Sequence, residues 1–485
     1  MKVITKNQTV LQNKSDVLII PLFEGEKFNF KSIDDKLNNE ITHLITTKKF
    51  KGELKEIKII NTHRKLNTKN VMILGLGKEK ELKSDSIRKA YAIAVKFARK
   101  ENLENVSVII PSVVIKNVDQ IITEGIILGL YIFNKYKTVD KNKIKKIKSI
   151  TLLNAEGRLV KKGNILAENV NCVRDLVNES ADKVTPSYLA NYAKKIAKNA
   201  KNTKIKVFGK SEIVKMGMGG LLAVGKGSNQ EPKFIVLEYN GSIGKKEKPF
   251  VFVGKGVTFD AGGLDVKPWS YMQDMRSDMA GAATVLQLIK TAQDLKLKKN
   301  IVAIVPTCEN MLGEKAFKQG DIIKSYNGKN IEVWHTDAEG RLILADGLGY
   351  ADKNYDAEFV IDIATLTGAS IYALGYEIAS LMSDDENLKK KIIESGKEVG
   401  EYLWELPMIE EYKGLVRGDT GDVRNTAKES PGPGTITAGI FLSNFIKQKW
   451  AHIDIGASGW SPKDTEYKKK GGTGHCLRTF VKLLE

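Results

Sequence analysis

The chain has 485 residues, 42% of them hydrophobic and 28% charged, with a formal net charge of +19. That length exceeds one ordinary core, so two domains are expected, and the composition is that of a soluble globular protein. The charge excess is mostly lysine scattered in runs such as Lys141–Lys148, which reads as a solvated surface and makes nucleic acid an unexpected partner.

No apolar run is long enough to cross a bilayer: the run Val17–Phe23 is short and holds a proline. The N-terminus (MKVITKNQTVLQNK) has no apolar signal segment. A cytoplasmic protein without a membrane partner is expected. Cys172, Cys308 and Cys476 are far apart and odd in number, which argues against a disulfide framework and a thiolate zinc cluster.

In chain order, Ser15–Phe23 and Asn70–Leu76 read as strands, residues 86–100 as a helix, and Val106–Val114 as a third strand. The β-α-β order suits a parallel or mixed sheet. The turn Gly75–Lys80 looks faintly like a phosphate loop, but it lacks the third glycine and reads as a plain connection. Asn164–Ser180 has helical periodicity and marks the domain change. The expected division is a smaller N-terminal α/β domain at 1–150, a linker helix region at 151–170, and a larger catalytic α/β domain at 171–485. Strand-like runs at 249–256, 300–307, 357–368 and 450–457 alternate with helices, so the larger domain should have a mostly parallel central sheet. Its site is expected beyond the carboxyl ends of the strands.

The chemistry-bearing residues cluster there. Lys255 follows the strand PFVFVG, Asp260 lies in a glycine-rich turn, Lys267 stands in DVKP, and Asp278 stands where a helix begins, with Ser277 as its expected cap. Asp337, Glu339 and Arg341 follow in EVWHTDAEGRLILADGL. If that segment is extended, these alternate positions face one cavity. Carboxylates crowded in a dry site repel one another, and divalent cations resolve the repulsion. Oxygen-rich sites suit Mg²⁺, Mn²⁺ and catalytic Zn²⁺. The five histidines form no HExxH motif. These residues by themselves point to a dinuclear metal hydrolase. A phosphatase or nuclease stays open, although only Arg276 and Arg341 are near enough to bind phosphate, and so does a basic DNA-binding protein on the same fold.

The segment TDAEGRLILADGL closely resembles the NTDAEGRL signature of the leucyl aminopeptidase family. VGKGVTFDAGG, DVKP, RDLVNESADKVTP, TCENMLGEKAFKQGDI, NGKNIEV, ATLTGA, GTITAGIFL and WAHIDIGA follow in that family's order, so the resemblance runs from about residue 165 to the end. It implies an aminopeptidase acting on peptides with two divalent ions per subunit, Mn²⁺ or Zn²⁺, with Mg²⁺ or Co²⁺ as alternatives. Asp260, Asp337 and Glu339 would hold one ion, and Lys255, Asp260, Asp278 and Glu339 the other. A lysine ligates only when neutral, and adjacent cations would lower its pKa. The family's non-ligand catalytic residues fall on Lys267, as an oxyanion donor, and Arg341, as the holder of a bicarbonate base.

The resemblance also implies a pocket lined by Met275, Thr365, Gly368, Gly456 and Gly459, with Leu366 offering backbone groups to the substrate amine. Leu, Met and larger apolar N-terminal residues should be accepted, and the assembly should be a homohexamer. His335, Ala261 and Arg276 depart from the usual asparagine, serine and lysine, which bears on metal affinity and metal preference.

Overall fold

The computed structural model describes residues 2–139, 145–198, 200–242, 247–429 and 432–485. Residues 141–144 of the lysine run lie outside these. The chain divides into two compact units, Met1–Asn171 with Lys463–Lys469, and Cys172–Pro462 with Lys470–Glu485. The dividing point falls inside one helix, Gly157–Asn178.

The first unit is built on strands β1 (Val3–Lys6), β2 (Val17–Leu22), β3 (Ile57–Asn61), β4 (Asn70–Gly75), β5 (Asn105–Ile109) and β6 (Ser149–Leu153). Their order is β1-β6-β5-β2-β4-β3. Every neighbouring pair is parallel except β3–β4 at the edge. Consecutive buried residues Leu18, Ile19 and Ile20 are what a strand covered on both faces requires. The run 106–114 gives a shorter strand than its composition predicts. Pro111 has no N–H for a ladder, pairing stops at Ile109, and Val114 is left 98% exposed.

The second unit holds β7 (Thr203–Phe208), β8 (Lys233–Asn240), β9 (Phe250–Gly254), β10 (Gly256–Asp260), β11 (Asn300–Asn310), β12 (Ile322–Lys324), β13 (Asn330–Glu332), β14 (Phe359–Ala364), β15 (Ile378–Met382), β16 (Tyr402–Glu405), β17 (Val423–Arg424) and β18 (Trp450–Asp454). The main sheet runs β16-β15-β18-β14-β9-β11-β8-β7, with β10 also on β11, while β12, β13 and β17 form a small separate sheet. The centre, from β18 through β14 and β9 to β11, is parallel; β8 and β7 continue it antiparallel.

Alternation along β9 sends side chains to opposite faces. Val251 and Val253 share a core with Leu342, Leu344, Ala345 and Leu348 of the helix Gly340–Asn354. Phe252 points the other way, its ring 4.8 Å from that of Phe480 in the helix Leu477–Leu484. From β9 the chain winds outward to β11 on one side, and later to β14 on the other. The strand order reverses at β9, and the reversal opens a crevice at the carboxyl ends of β9 and β14. Register aligns those ends: Gly254 lies beside Ile363, and Ala364 beside Asp454.

The helix Leu477–Leu484 is tied down at a buried carboxylate. Arg478 Nε donates to Glu401 Oε1 at 3.1 Å, and Thr479 donates to Oε2 through its N–H (3.0 Å) and hydroxyl (2.8 Å). Burial alone would push the Glu401 carboxyl up, but the Arg478 guanidinium, with His475 and the Thr479 bonds, holds it below the usual range. Glu401→Gln removes the charge facing Arg478 and should cost about 3–5 kcal/mol, read as a lower urea midpoint at pH 7. Because the folded-state pKa is depressed, this stabilisation is present above the unfolded value of about 4.3 and fades as pH falls through and below it. The wild-type-to-variant gap should therefore shrink in acid, and a pH-independent gap would contradict the role given to this carboxylate.

Candidate metal centre

Five ligand-type side chains and a second lysine converge in the crevice. Lys255 stands between β9 and β10, and its Nζ lies 2.8 Å from both Asp278 Oδ1 and Glu339 Oε1. It also donates to the Thr365 carbonyl at 3.0 Å. Lys267 Nζ lies 2.9 Å from Asp260 Oδ2 and pairs with Asp337 Oδ1. Oxygen atoms of Asp260, Asp337 and Glu339 all come within 4.8 Å of one another. Lys255, Asp260, Asp278 and Glu339 are buried.

Local sequence makes the convergence possible. Gly340 opens its helix directly over Lys255: a Cβ there would lie 2.4 Å from Lys255 Cε, so a side chain would block the lysine's path. Gly262 has φ +90°, and a Cβ on it would stand 2.2 Å from the Asp265 carbonyl. Only glycine fits this turn, which returns Lys267 towards Asp337. Thr336 stitches the two segments together, donating its hydroxyl to the Gly262 carbonyl (2.6 Å) and its N–H to Asp265 Oδ2 (2.7 Å).

Burial is the largest influence on every one of these acids. It raises Asp260, Asp278 and Asp337, and for Asp260 and Asp337 the neighbouring Glu339 charge adds to it. For Glu339 burial acts upward too, but Lys255 and Lys267 overcome it and hold the carboxyl low. Burial disfavours both ammonium groups, yet the surrounding carboxylates outweigh it and push the two lysines up.

Valences stay unused among these groups. Asp278 Oδ2 is buried without a hydrogen-bond partner, and Glu339 Oε1 and Asp337 Oδ1 face only their lysines. Hard oxygen donors with free lone pairs, crowded around positive charge in a dry crevice, fit divalent cations.

Two expectations of local structure fail. The segment 336–341 is not extended: Glu339 already has helical dihedrals and caps the helix Gly340–Asn354. Arg341 therefore lies in the first helical turn. It is still buried, donates from Nη1 to the Asn425 carbonyl at 2.7 Å, and leaves Nε without a partner. Burial lowers its pKa to about 10 against the pull of Glu339 and Asp454. Ser277 is not a helix cap, because the helix starts at Ala280 behind Met279. The Ser277 hydroxyl instead donates to the Asp274 carbonyl, within a short 3₁₀ turn.

The residues expected to line the pocket divide. Thr365 touches the centre, its hydroxyl 2.8 Å from Asp278 Oδ1. The Leu366 N–H is engaged by Asp454 Oδ1 at 3.0 Å, so of its backbone groups the carbonyl is the one suited to a substrate amine. A Cβ on Gly456 would sit 2.6 Å from the Thr367 carbonyl, and one on Gly459 2.8 Å from that of Ile455. These glycines permit close backbone approach, whereas Gly368 faces open space. Met275 is half-buried in the 3₁₀ turn.

Of the three departures, His335 Nδ1 accepts the Asp337 N–H at 3.2 Å, Ala261 is buried, and Arg276 lies 5.5 Å over the Trp460 ring. Sequence reasoning missed Asn310, whose Nδ2 donates to Asp260 Oδ1 at 2.8 Å. It also missed Asp454, which accepts from Leu366, Gly456 and the Thr367 hydroxyl. A carboxylate closing the buried strand WAHID was the available signal for Asp454.

The catalytic-domain profile of the cytosol aminopeptidase family matches residues 171–481, and the family's N-terminal-domain profile matches residues 19–140. A probable cytosol aminopeptidase of Alkaliphilus oremlandii is 38% identical, covering 100% of this chain and 99% of its own. One from Clostridium perfringens is 36% identical over 97% of this chain and 96% of its own. Among solved structures, a tomato leucine aminopeptidase mutant matches with TM-score 0.87 at 30% identity, covering 100% of this chain and 96% of its own. The bottromycin maturation enzyme BotP in complex with Mn matches with TM-score 0.86 at 27% identity, over 97% and 99%. With both domains matched and such relatives along its whole length, the chain belongs to the cytosol aminopeptidase family and is a metal-dependent aminopeptidase.

Proposed function

We propose that Asp260, Asp337 and Glu339 hold one divalent ion and Lys255, Asp260, Asp278 and Glu339 a second, in a centre that removes N-terminal residues from peptides. The unused, buried Asp278 Oδ2 beside a cluster of three further acids is the observation that carries this reading. Bound there, the ions supply Lewis acidity and a water acidic enough to be a nucleophile near neutral pH.

The chain's own groups do the rest. Lys267 is anchored to Asp260 and Asp337 and keeps its proton near neutral pH, so it presents a fixed donor to the oxyanion that develops on the scissile carbonyl. Arg341, buried with Nε free, is the seat for bicarbonate, which would supply the general base. Thr365, Gly368 and Met275 border the space for the first side chain, which we take to accept Leu, Met and larger apolar residues. In this reading the catalytic region begins near residue 171, after an N-terminal domain and the helix that follows it. The manganese in the BotP complex supports Mn²⁺ as the leading candidate ion, with Zn²⁺ next. The relatives' description as cytosol aminopeptidases supports a cytoplasmic enzyme, and we take its assembly to be a homohexamer. A native mass matching a single chain would refute the hexamer.

Hydrolysis of a leucine chromogenic amide should be lost on chelation and return with Mn²⁺ or Zn²⁺, while Asp337→Ala should recover with neither. Undiminished turnover after exhaustive chelation would sink the metal reading. The restored enzyme should be faster on Leu and Met than on Asp or Gly, and the reverse order would refute the pocket. Lys267→Ala should fold normally but lose about a hundredfold or more in kcat, the scale of one oxyanion donor. Near-native turnover would remove Lys267 from the mechanism.

A further inference from the structure

We infer that Asn425, far along the chain from every ligand-type residue, is a positioning residue that fixes Asp337 relative to Glu339 and Arg341. The inference rests on the metal reading above. Asn425 is fully buried and sits at the end of β17, which runs parallel to β13 in the small sheet. Its N–H donates to the Glu332 carbonyl at 3.0 Å, so the sheet delivers it beside the loop that follows β13.

There its side chain uses all of its capacity on that loop. Oδ1 accepts the N–H groups of Trp334 (2.8 Å) and His335 (3.3 Å). Nδ2 donates to the carbonyls of His335 (2.7 Å) and Ala338 (3.3 Å). A primary amide has one acceptor atom with two lone pairs and one nitrogen with two hydrogens, and here each finds a partner. The reversed amide would set donors against donors and acceptors against acceptors, so the pattern fixes its orientation. Nδ2 grips the backbone on both sides of Asp337. The same residue's carbonyl takes the Arg341 Nη1 bond at 2.7 Å, so one residue joins the loop of Asp337 to the helix of Glu339 and Arg341.

The adjoining residues stiffen this clamp from outside. The Arg424 guanidinium lies 3.8 Å over the Trp334 ring, and Trp334 Nε1 donates to Glu332 Oε2 at 3.0 Å. The other Glu332 oxygen takes the N–H groups of Thr420 and Gly421. The segment 419–425 thus wraps the outer side of the ligand loop. Groups that orient ligands without touching the ion commonly control 10- to 100-fold of metal affinity or activity.

The test uses full-length wild type, Asn425→Ala and Asn425→Ser. Metal-stripped protein is titrated with Mn²⁺ by calorimetry, and kcat and KM are measured separately on a leucine amide, beside circular dichroism and melting midpoints. The expected result is a folded Asn425→Ala with Mn²⁺ affinity and kcat each lowered about 10- to 100-fold, KM little changed, and Asn425→Ser intermediate. A folded variant with a lower melting point but wild-type Mn²⁺ affinity and kcat overturns the inference and leaves Asn425 a structural residue. If Asn425→Ala does not fold, Asn425→Ser decides by the same readings. A wild type that takes up no Mn²⁺ overturns the metal reading itself, and this inference falls with it. Equal binding by wild type and variant overturns this inference alone.

Discussion

The constraint that organises the catalytic unit is the burial of Asp260, Asp278, Asp337 and Glu339 in one crevice, with Lys255 and Lys267 between them. A carboxylate without water costs several kcal/mol unless charge and hydrogen bonds replace its hydration. Asp260, Asp278 and Asp337 keep raised pKa values even beside the lysines, so the compensation is incomplete. The cluster attracts positive charge, and that demand explains why acids from three separate segments are directed into one crevice rather than towards solvent.

Bringing them together depends on steric permission as much as on charge. The sheet places strand ends side by side, and the reversal at β9 leaves a gap where the segments following β9, β10 and β14 can meet. Gly340 and Gly262 then remove the atoms that would obstruct Lys255 and the Lys267 turn. Asp454 performs the corresponding task for the backbone after β14, gathering the N–H groups of Leu366 and Gly456 so that the two chain segments run close together. Gly456 is part of that closeness, since a Cβ there would meet the Thr367 carbonyl.

Much of this was legible from sequence because it rests on patterns with a fixed period or a fixed string. The strands β2, β4, β9, β11, β14 and β18 are mostly apolar, which a sheet covered on both faces demands. Lys255, Asp260, Asp278, Asp337 and Glu339 stood in segments long enough to be specific. Arg341 was placed facing a cavity with Asp337 and Glu339 by alternation, which presumes extended chain, whereas the helix begins at Gly340. Ser277 failed as a cap because the chain makes a 3₁₀ turn first. Asn310 and Asn425 were illegible for a shared cause. Each acts by hydrogen bonds across tens of residues, to backbone groups or to a ligand carboxylate, and neither kind of partner leaves a periodic trace in the sequence.

The two lysines carry the same charge and similar partners, yet their surroundings suit them to different work. Lys255 leaves a strand end beneath the acids, is wholly enclosed, and is fixed by Asp278, Glu339 and the Thr365 carbonyl. An amine held by three partners in this way fits the ligand role proposed for it. Lys267 comes from a turn above the acids and keeps 14% of its side chain exposed. Its two carboxylate partners, Asp260 and Asp337, flank it without closing over it. The surrounding carboxylates push both lysines up, so it is partial exposure that distinguishes Lys267. An oxyanion donor needs both a proton and access, and preorganisation of this kind costs no rearrangement when charge develops. The direction from which each lysine enters, set by a strand end in one case and by the Gly262 turn in the other, fits the proposed division between a ligand and an oxyanion donor among residues of identical type.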